Sequence, residues 1–242
     1  MSALPSSPLL VAVSAGELDR LLGAPGCRAE AWLSVAERGR LQGLRLPARR
    51  REWLAGRVAA KQAVCRRLGL AGPHAWPDIE IVPTRHGPRR GQPTYTHAGE
   101  PGSCALSLAH AGGTAVAALA DGGVDIGVDL EPALAFDPVG ESLLLSAAET
   151  RRLGGVRGES RRRTLTWIWV LKEALAKALG VGLRLRLPDV EVRFDPAGPT
   201  LDDPPFRVAG RGSEGPPLVA TAQTFLVGDA QAAWVALVAA RP

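Results

Sequence analysis

The sequence predicts an α+β fold built as a pseudo-dimer of two similar α/β subdomains. Three observations carry that prediction. The first is an internal repeat. Leu33-Ser34-Val35-Ala36-Glu37 returns as Leu145-Ser146-Ala147-Ala148-Glu149, Trp53 and Lys61 return as Trp169 and Lys177, and Pro77-Asp78-Ile79-Glu80-Ile81 returns as Pro188-Asp189-Val190-Glu191-Val192. The pairs keep their order at offsets of 112, 116 and 111 residues, as repeated structural units do. The second is a pair of stretches with helical periodicity, 48–69 and 161–179, each closed by a glycine, Gly69 and Gly180, the residue that most easily ends a helix. The third is a set of short apolar runs separated by glycine and proline, which read as strands.

Each element has a local reason. Ser34 and Ser146 are followed three residues later by Glu37 and Glu149, so each pair reads as a capping box at a helix start. Strands are predicted at Asp78–Val82, Cys104–Leu108, Thr114–Ala120 and Val124–Glu131, and then at Val190–Phe194, Thr221–Val227 and Ala232–Val238. Two Pro/Gly-rich stretches, Thr84–Pro93 and Asp195–Pro217, read as loops. Asp121-Gly122-Gly123 marks the boundary. Residues 1–122 form an N-terminal subdomain and residues 123–242 a C-terminal one, with a ligand expected in the cleft between them.

Hydrophobic residues make up 46% of the 242 and charged residues 22%, enough to bury a core. No apolar run reaches the roughly 18 residues of a membrane span, and the first residues lack the basic start of a signal peptide. A soluble, cytoplasmic monomer is expected. Cys27, Cys65 and Cys104 lack the spacing of a zinc site or a disulfide framework. The net charge of +5 favours an anionic ligand or an acidic partner. That charge comes from 26 arginines and three lysines, Lys61, Lys172 and Lys177. A lysine is a compact point charge where arginine is a broad fork, so the three mark positions suited to the compact group.

Three segments carry chemistry. In Val128-Asp129-Leu130-Glu131 the two carboxylates stand two apart on a strand and share a face. Like charges so placed are relieved by a cation, and magnesium takes oxygen ligands. In Trp169-Val170-Leu171-Lys172-Glu173-Ala174-Leu175-Ala176-Lys177, Trp169, Glu173 and Lys177 are four apart and lie on one helix face. A third carboxylate beside two lysines suits a metal-bridged pyrophosphate. In Ser107-Leu108-Ala109-His110-Ala111-Gly112-Gly113 a strand ends in a histidine and a glycine turn whose amides can meet a phosphate. Between its Trp and Lys the first half has Gly56-Arg57, a basic wall for phosphates.

Together these residues resemble the phosphopantetheinyl transferases of the type that activates surfactin synthetase. The family pattern G-(I/V)-D-x-E, followed about forty residues later by W-x-x-K-E-(A/S)-x-x-K, is matched by Gly127–Glu131 and Trp169–Lys177. Gly180-Val181-Gly182-Leu183, Gly91-Gln92-Pro93 and Ser107–His110 are similar to further motifs, and the resemblance covers roughly residues 30–195. Gln92 stands where the family usually has lysine, Ala109 where it has serine, and Ser107 where it has asparagine. The resemblance implies the phosphopantetheinyl transferase fold, with both halves in one chain. It implies Mg²⁺ or Mn²⁺ on Asp129, Glu131 and Glu173, with Lys172 and Lys177 on the coenzyme A phosphates. His110, Arg57, Lys61 and Gln92 would hold the nucleotide end. Glu173, Glu149 or a metal-bound water would act as base, with Glu149 alternatively on the metal, and Lys177 would stabilise the departing 3′,5′-ADP. The implied reaction moves 4′-phosphopantetheine from coenzyme A to a serine of an acyl or peptidyl carrier protein serving polyketide or nonribosomal peptide synthesis. Neither nucleic acid nor membrane is an expected partner, and the arginine run Arg161–Arg163 is expected to steer an acidic carrier. The rival readings are a metal-dependent phosphodiesterase or nuclease and a non-catalytic basic nucleic-acid-binding module.

Overall fold

The computed structural model describes residues 7–87, 89–194, 201–208 and 218–239. It forms two compact units, one spanning Ser7–Gly122 and the other running from Gly123 onward.

In the first unit, β1 (Leu9–Val13) leads into α1 (Ala15–Leu22), α2 (Val35–Gly43) and the long α3 (Pro47–Leu68). The short strands β2 (Ile79–Pro83), β3 (Pro93–His97) and β4 (Glu100–Pro101) follow, then the hairpin β5 (Ala105–Ala111) and β6 (Thr114–Ala120). The hairpin turns on Gly112 and Gly113, both at positive φ (57° and 77°), the backbone a type I′ turn demands. β6 is central in an antiparallel sheet ordered β1-β6-β5. The α3 residues Val58, Ala59, Ala63 and Val64 join Val11, Val13, Ala117 and Leu119 in one core. Alanine on both surfaces lets helix and sheet approach closely.

In the second unit, β7 (Asp125–Glu131) leads into α4 (Pro138–Leu144), α5 (Ala147–Arg152) and the long α6 (Gly158–Leu179). Then come β8 (Val190–Phe194), β9 (Leu201–Val208), β10 (Leu218–Val227) and β11 (Ala230–Ala239). Here β11 is central, in the order β10-β11-β7, and α6 packs on β7 and β11. The two units thus repeat one plan: edge strand, short helices, a 22-residue helix, a small separate sheet of three strands in the first unit and two in the second, then a hairpin whose last strand pairs with the first. Both expected capping boxes form, with each serine Oγ accepting from the glutamate amide and each glutamate accepting from the serine amide. Each such cap stabilises its helix by about 1 kcal/mol. Gly69 and Gly180 end the long helices in the left-handed region (φ 67° and 69°).

The repeat register differs from the sequence reading at one place. Pro47 and Gly158, Leu68 and Leu179, and Gly69 and Gly180 each stand 111 residues apart. Lys61 is therefore equivalent to Lys172, and not to Lys177 as the Trp-to-Lys spacing suggests. Tryptophan identity is misleading here, because what the helices share is the inward lysine. The segment Asp195–Pro217, expected as a loop, contains β9, which pairs with β8. Residues 195–200 and 209–217 of that segment lie outside the described residues. Among the described residues no helix is long and apolar enough to cross a membrane.

Candidate functional site

Asp129 and Glu131 stand at the end of β7, paired in register with Ala233 and Gln231 of β11. Two residues upstream of Asp129, Gly127 meets α6 at backbone distance. A Cβ there would overlap the carbonyl oxygen of Ala174 and stand 2.7 Å from the Ala178 amide nitrogen. The glycine of the Gly-Val-Asp-Leu-Glu motif is thus what lets α6 lie on β7. That contact brings Glu173 and Lys177 of α6 to Asp129 and Glu131.

Lys177 Nζ donates to Asp129 Oδ1 at 2.6 Å and to the Val128 carbonyl at 3.0 Å. Asp129 is buried and the Lys177 side chain one-third exposed, so the ammonium is tied to the strand and still reaches solvent. Burial pushes the Glu173 carboxyl above its usual range, Asp129 pushes it further, and Lys177 pulls it back. Burial likewise raises Glu131, with Asp129 adding, Lys177 opposing, Glu173 adding and Trp169 opposing. Trp169 leans on Phe136 with ring centroids 6.1 Å apart, which walls this end of the helix with apolar surface. The four sequence-predicted residues are brought into electrostatic reach of one another. Among the described residues no group of three or more His, Cys, Asp or Glu side chains is placed, as the side chains lie, to hold a metal ion. The donor set is three carboxylates, oxygen ligands of the kind a hard divalent cation takes, and the Asp129 charge adds to the raised protonation of both Glu131 and Glu173.

Three other sequence-predicted residues, Lys172, Glu149 and Lys61, lie enclosed within their own units. Lys172 and Glu149 are fully buried, with Lys172 Nζ 2.7 Å from Glu149 Oε2. Lys172 also donates to the carbonyls of Leu144 (2.7 Å) and Leu187 (3.0 Å). An ammonium has three protons, and here three acceptors take them, so Lys172 has none left for a phosphate. Glu149 accepts the amides of Ser146 and Val192 at 2.7 and 2.8 Å, which leaves it enclosed rather than open to a metal or a substrate. Lys61 is the same case. It is fully buried, 2.6 Å from Glu37 Oε2, and donates to the carbonyls of Trp76 and Ile79. Each of the chain's three lysines is therefore held by a carboxylate, and only Lys177 reaches solvent.

In the first unit, Arg57 lies over the Trp53 ring, 4.5 Å from its centroid, with Nε 3.4 Å from Glu37 Oε1. Burial lowers its affinity for its proton, with Glu37 opposing in part and Arg40 adding to the fall. Arg57 lines a cavity of about 340 Å³ together with Arg40, Arg85, Trp53, Glu37 and Glu80. Arg40 and Arg85 were not singled out by sequence, because neither sits in a motif. Gln92 is half-buried on the turn before β3, where its carbonyl accepts the Thr84 amide at 2.8 Å. His110 is exposed at the end of β5, 3.8 Å from Glu52. In the arginine run, Arg161 is not a loose surface charge. It bonds both carboxylate oxygens of Glu141 and the Leu153 carbonyl, tying α4, α5 and α6 together.

Residues 125–205 match the model of the 4′-phosphopantetheinyl transferase superfamily. The matched segment begins on β7 and contains Asp129, Glu131, Glu173 and Lys177. A search of curated proteins found no match to the chain. The match spans about one third of the chain and supports phosphopantetheinyl transfer in general.

Proposed function

We propose that the chain moves 4′-phosphopantetheine from coenzyme A to a serine of an apo acyl or peptidyl carrier protein, with 3′,5′-ADP as the other product. The observation that carries this reading is the meeting of Asp129, Glu131, Glu173 and Lys177 across the Gly127 contact, inside the segment that matches the superfamily. The reading includes the surfactin-synthetase-activating subtype and a cytoplasmic monomer with no nucleic-acid partner.

In the reaction a bond forms between the serine oxygen and the phosphorus that bears pantetheine. The bond from that phosphorus to the bridging oxygen breaks, and its electron pair leaves with 3′,5′-ADP. The serine proton goes to the Glu173 carboxylate on α6. Lys177, anchored by Asp129 and one-third exposed, meets the charge that grows on the leaving phosphate. Asp129, Glu131 and Glu173 would hold Mg²⁺ or Mn²⁺, which when bound neutralises pyrophosphate charge. Positioning and charge neutralisation account for most of such transfers. Arg57, Gln92 and His110 remain candidates for the nucleotide phosphates, joined by Arg40 and Arg85. Lys61, Lys172 and Glu149 do not.

The test is incubation of the purified chain with coenzyme A, Mg²⁺ and a panel of apo carriers, read by intact mass. A gain of one phosphopantetheine on the carrier serine is expected, together with its loss in Asp129→Asn. Hydrolysis of coenzyme A with no carrier modified would instead support a phosphodiesterase.

A further inference from the structure

Glu149 and Lys172 have a twin. In the second unit, the Ser146 capping box supplies Glu149, which binds Lys172 of the long helix and the Val192 amide of β8. In the first unit, the Ser34 capping box supplies Glu37, which binds Lys61 of the long helix and the Ile81 amide of β2. In both, two backbone carbonyls complete the three acceptors of the ammonium. The partners match in kind and in register, yet the first unit has no counterpart of Asp129, Glu131 and Glu173. A device present in a half without the carboxylates is not part of their chemistry.

We infer that Glu149–Lys172 is a buried clamp that positions Glu173 and Lys177 by fixing how α6 is rotated against β7. The inference rests on the proposed transfer for its kinetic part alone. Lys172 and Glu173 are neighbours on the chain, so tethering one ammonium at three points sets the direction of the next carboxylate. Lys177 lies five residues on, and its 2.6 Å contact with Asp129 depends on the same rotation. The tether is shared by the end of α4 through the Leu144 carbonyl, by α5 through Glu149, and by the turn before β8 through Leu187. Three separate elements therefore have to shift before α6 can roll. A positioning role of this kind also explains why both partners are buried where neither can reach a substrate.

The experiment uses the full chain as Glu149→Gln, Lys172→Met and the double variant. Urea unfolding followed by circular dichroism gives the unfolding constants. Transfer kinetics with coenzyme A, Mg²⁺ and apo carrier give kcat, divided by the folded fraction. Each single variant is expected to raise the unfolding constant on the order of 10²–10³-fold, because it strands the other charge in the interior. The double variant should recover roughly tenfold or more of that loss, the signature of direct coupling. Both single variants should lower kcat per folded molecule to a similar extent, on the order of tenfold for a misaimed catalytic group. Unchanged kcat per folded molecule would make the pair only structural and overturn the inference. So would loss of turnover in Glu149→Gln with stability intact, which would put Glu149 in the chemistry. A raised KM for coenzyme A in Lys172→Met at wild-type stability would put Lys172 on the ligand and would likewise overturn it. If Glu149→Gln does not fold, Glu149→Asp keeps the charge at shorter reach and is read by the same outcomes. If the wild-type chain transfers nothing, the proposed function fails, while the unfolding cycle still decides the clamp: coupling supports it and additivity overturns it.

Discussion

Replacing Gly127 by alanine tests the contact that assembles the site. The added methyl group would meet the Ala174 carbonyl oxygen, the Ala174 carbonyl carbon at 2.8 Å and the Ala178 nitrogen at 2.7 Å. All three are backbone atoms of α6, so no side chain can swing away and the helix itself must retreat. Overpacking of this kind costs about 3 kcal/mol, the upper part of the usual range. For a chain of this size that lowers Tm by roughly 6–12 °C, at about 2–4 °C for each kcal/mol. The retreat also opens the 2.6 Å Lys177–Asp129 contact, so turnover per folded molecule falls on the order of tenfold or more. Gly155→Ala is the matched control, since its Cβ would have nothing within 4 Å, and it should stay within about 0.5 kcal/mol of wild type. Melting followed by circular dichroism, with transfer assayed on the same samples, checks both numbers. Wild-type melting and turnover in Gly127→Ala would refute the close approach of α6 to β7.

Lys177→Arg should lower kcat on the order of tenfold, because a planar guanidinium cannot keep both the Asp129 and the Val128 bonds while presenting one compact charge; full activity would show that charge alone suffices. Without a divalent cation, stability should fall as pH rises from the ordinary carboxylate value of 4.5 through the raised folded values of Glu131 and Glu173. The sign follows because the folded state binds more protons than the unfolded one in that window. Asp129→Asn, which removes the second cause at both groups, should flatten the slope, as urea midpoints in chelator from about pH 4 to 7 would show; an unchanged slope would refute the repulsion. Arg161→Ala should cost about 1.5–3 kcal/mol, the range for hydrogen bonds to charged groups, because it cuts the Glu141 and Leu153 bonds. The KM for the carrier should stay near wild type per folded molecule, and a raised KM at full stability would return Arg161 to the docking surface.

Much of the fold was legible because it is written in short-range chemistry. A serine with a glutamate three residues later closes a helix start whatever surrounds it, and Ser34 and Ser146 both do so. A glycine after a helical run takes the left-handed turn at Gly69 and Gly180. Thr114–Ala120 and Val190–Phe194 became strands with the predicted bounds, since their apolar, β-branched content suits a buried strand. β9 was missed because its partner β8 lies across a stretch rich in proline and glycine, and such pairing has no local signal.

The spacing of Asp129, Glu131, Glu173 and Lys177 was set by the sequence alone: two apart on a strand, four apart on a helix, and so on shared faces. What tertiary structure decided is which charged residue faces the core. Lys172 and Lys177 sit five apart on α6, about 140° around it at 3.6 residues per turn, so they cannot share a face. Sequence gives both the same ammonium and the same motif. Only the packing of α5 and the turn before β8 on one side, and of β7 on the other, makes Lys172 an enclosed partner of Glu149 and leaves Lys177 at Asp129. The same holds for Lys61, which the resemblance would place on a phosphate and which the fold encloses with Glu37. A buried ammonium is tolerated only where acceptors meet every proton, and which acceptors arrive there depends on chain segments 15 to 28 residues away.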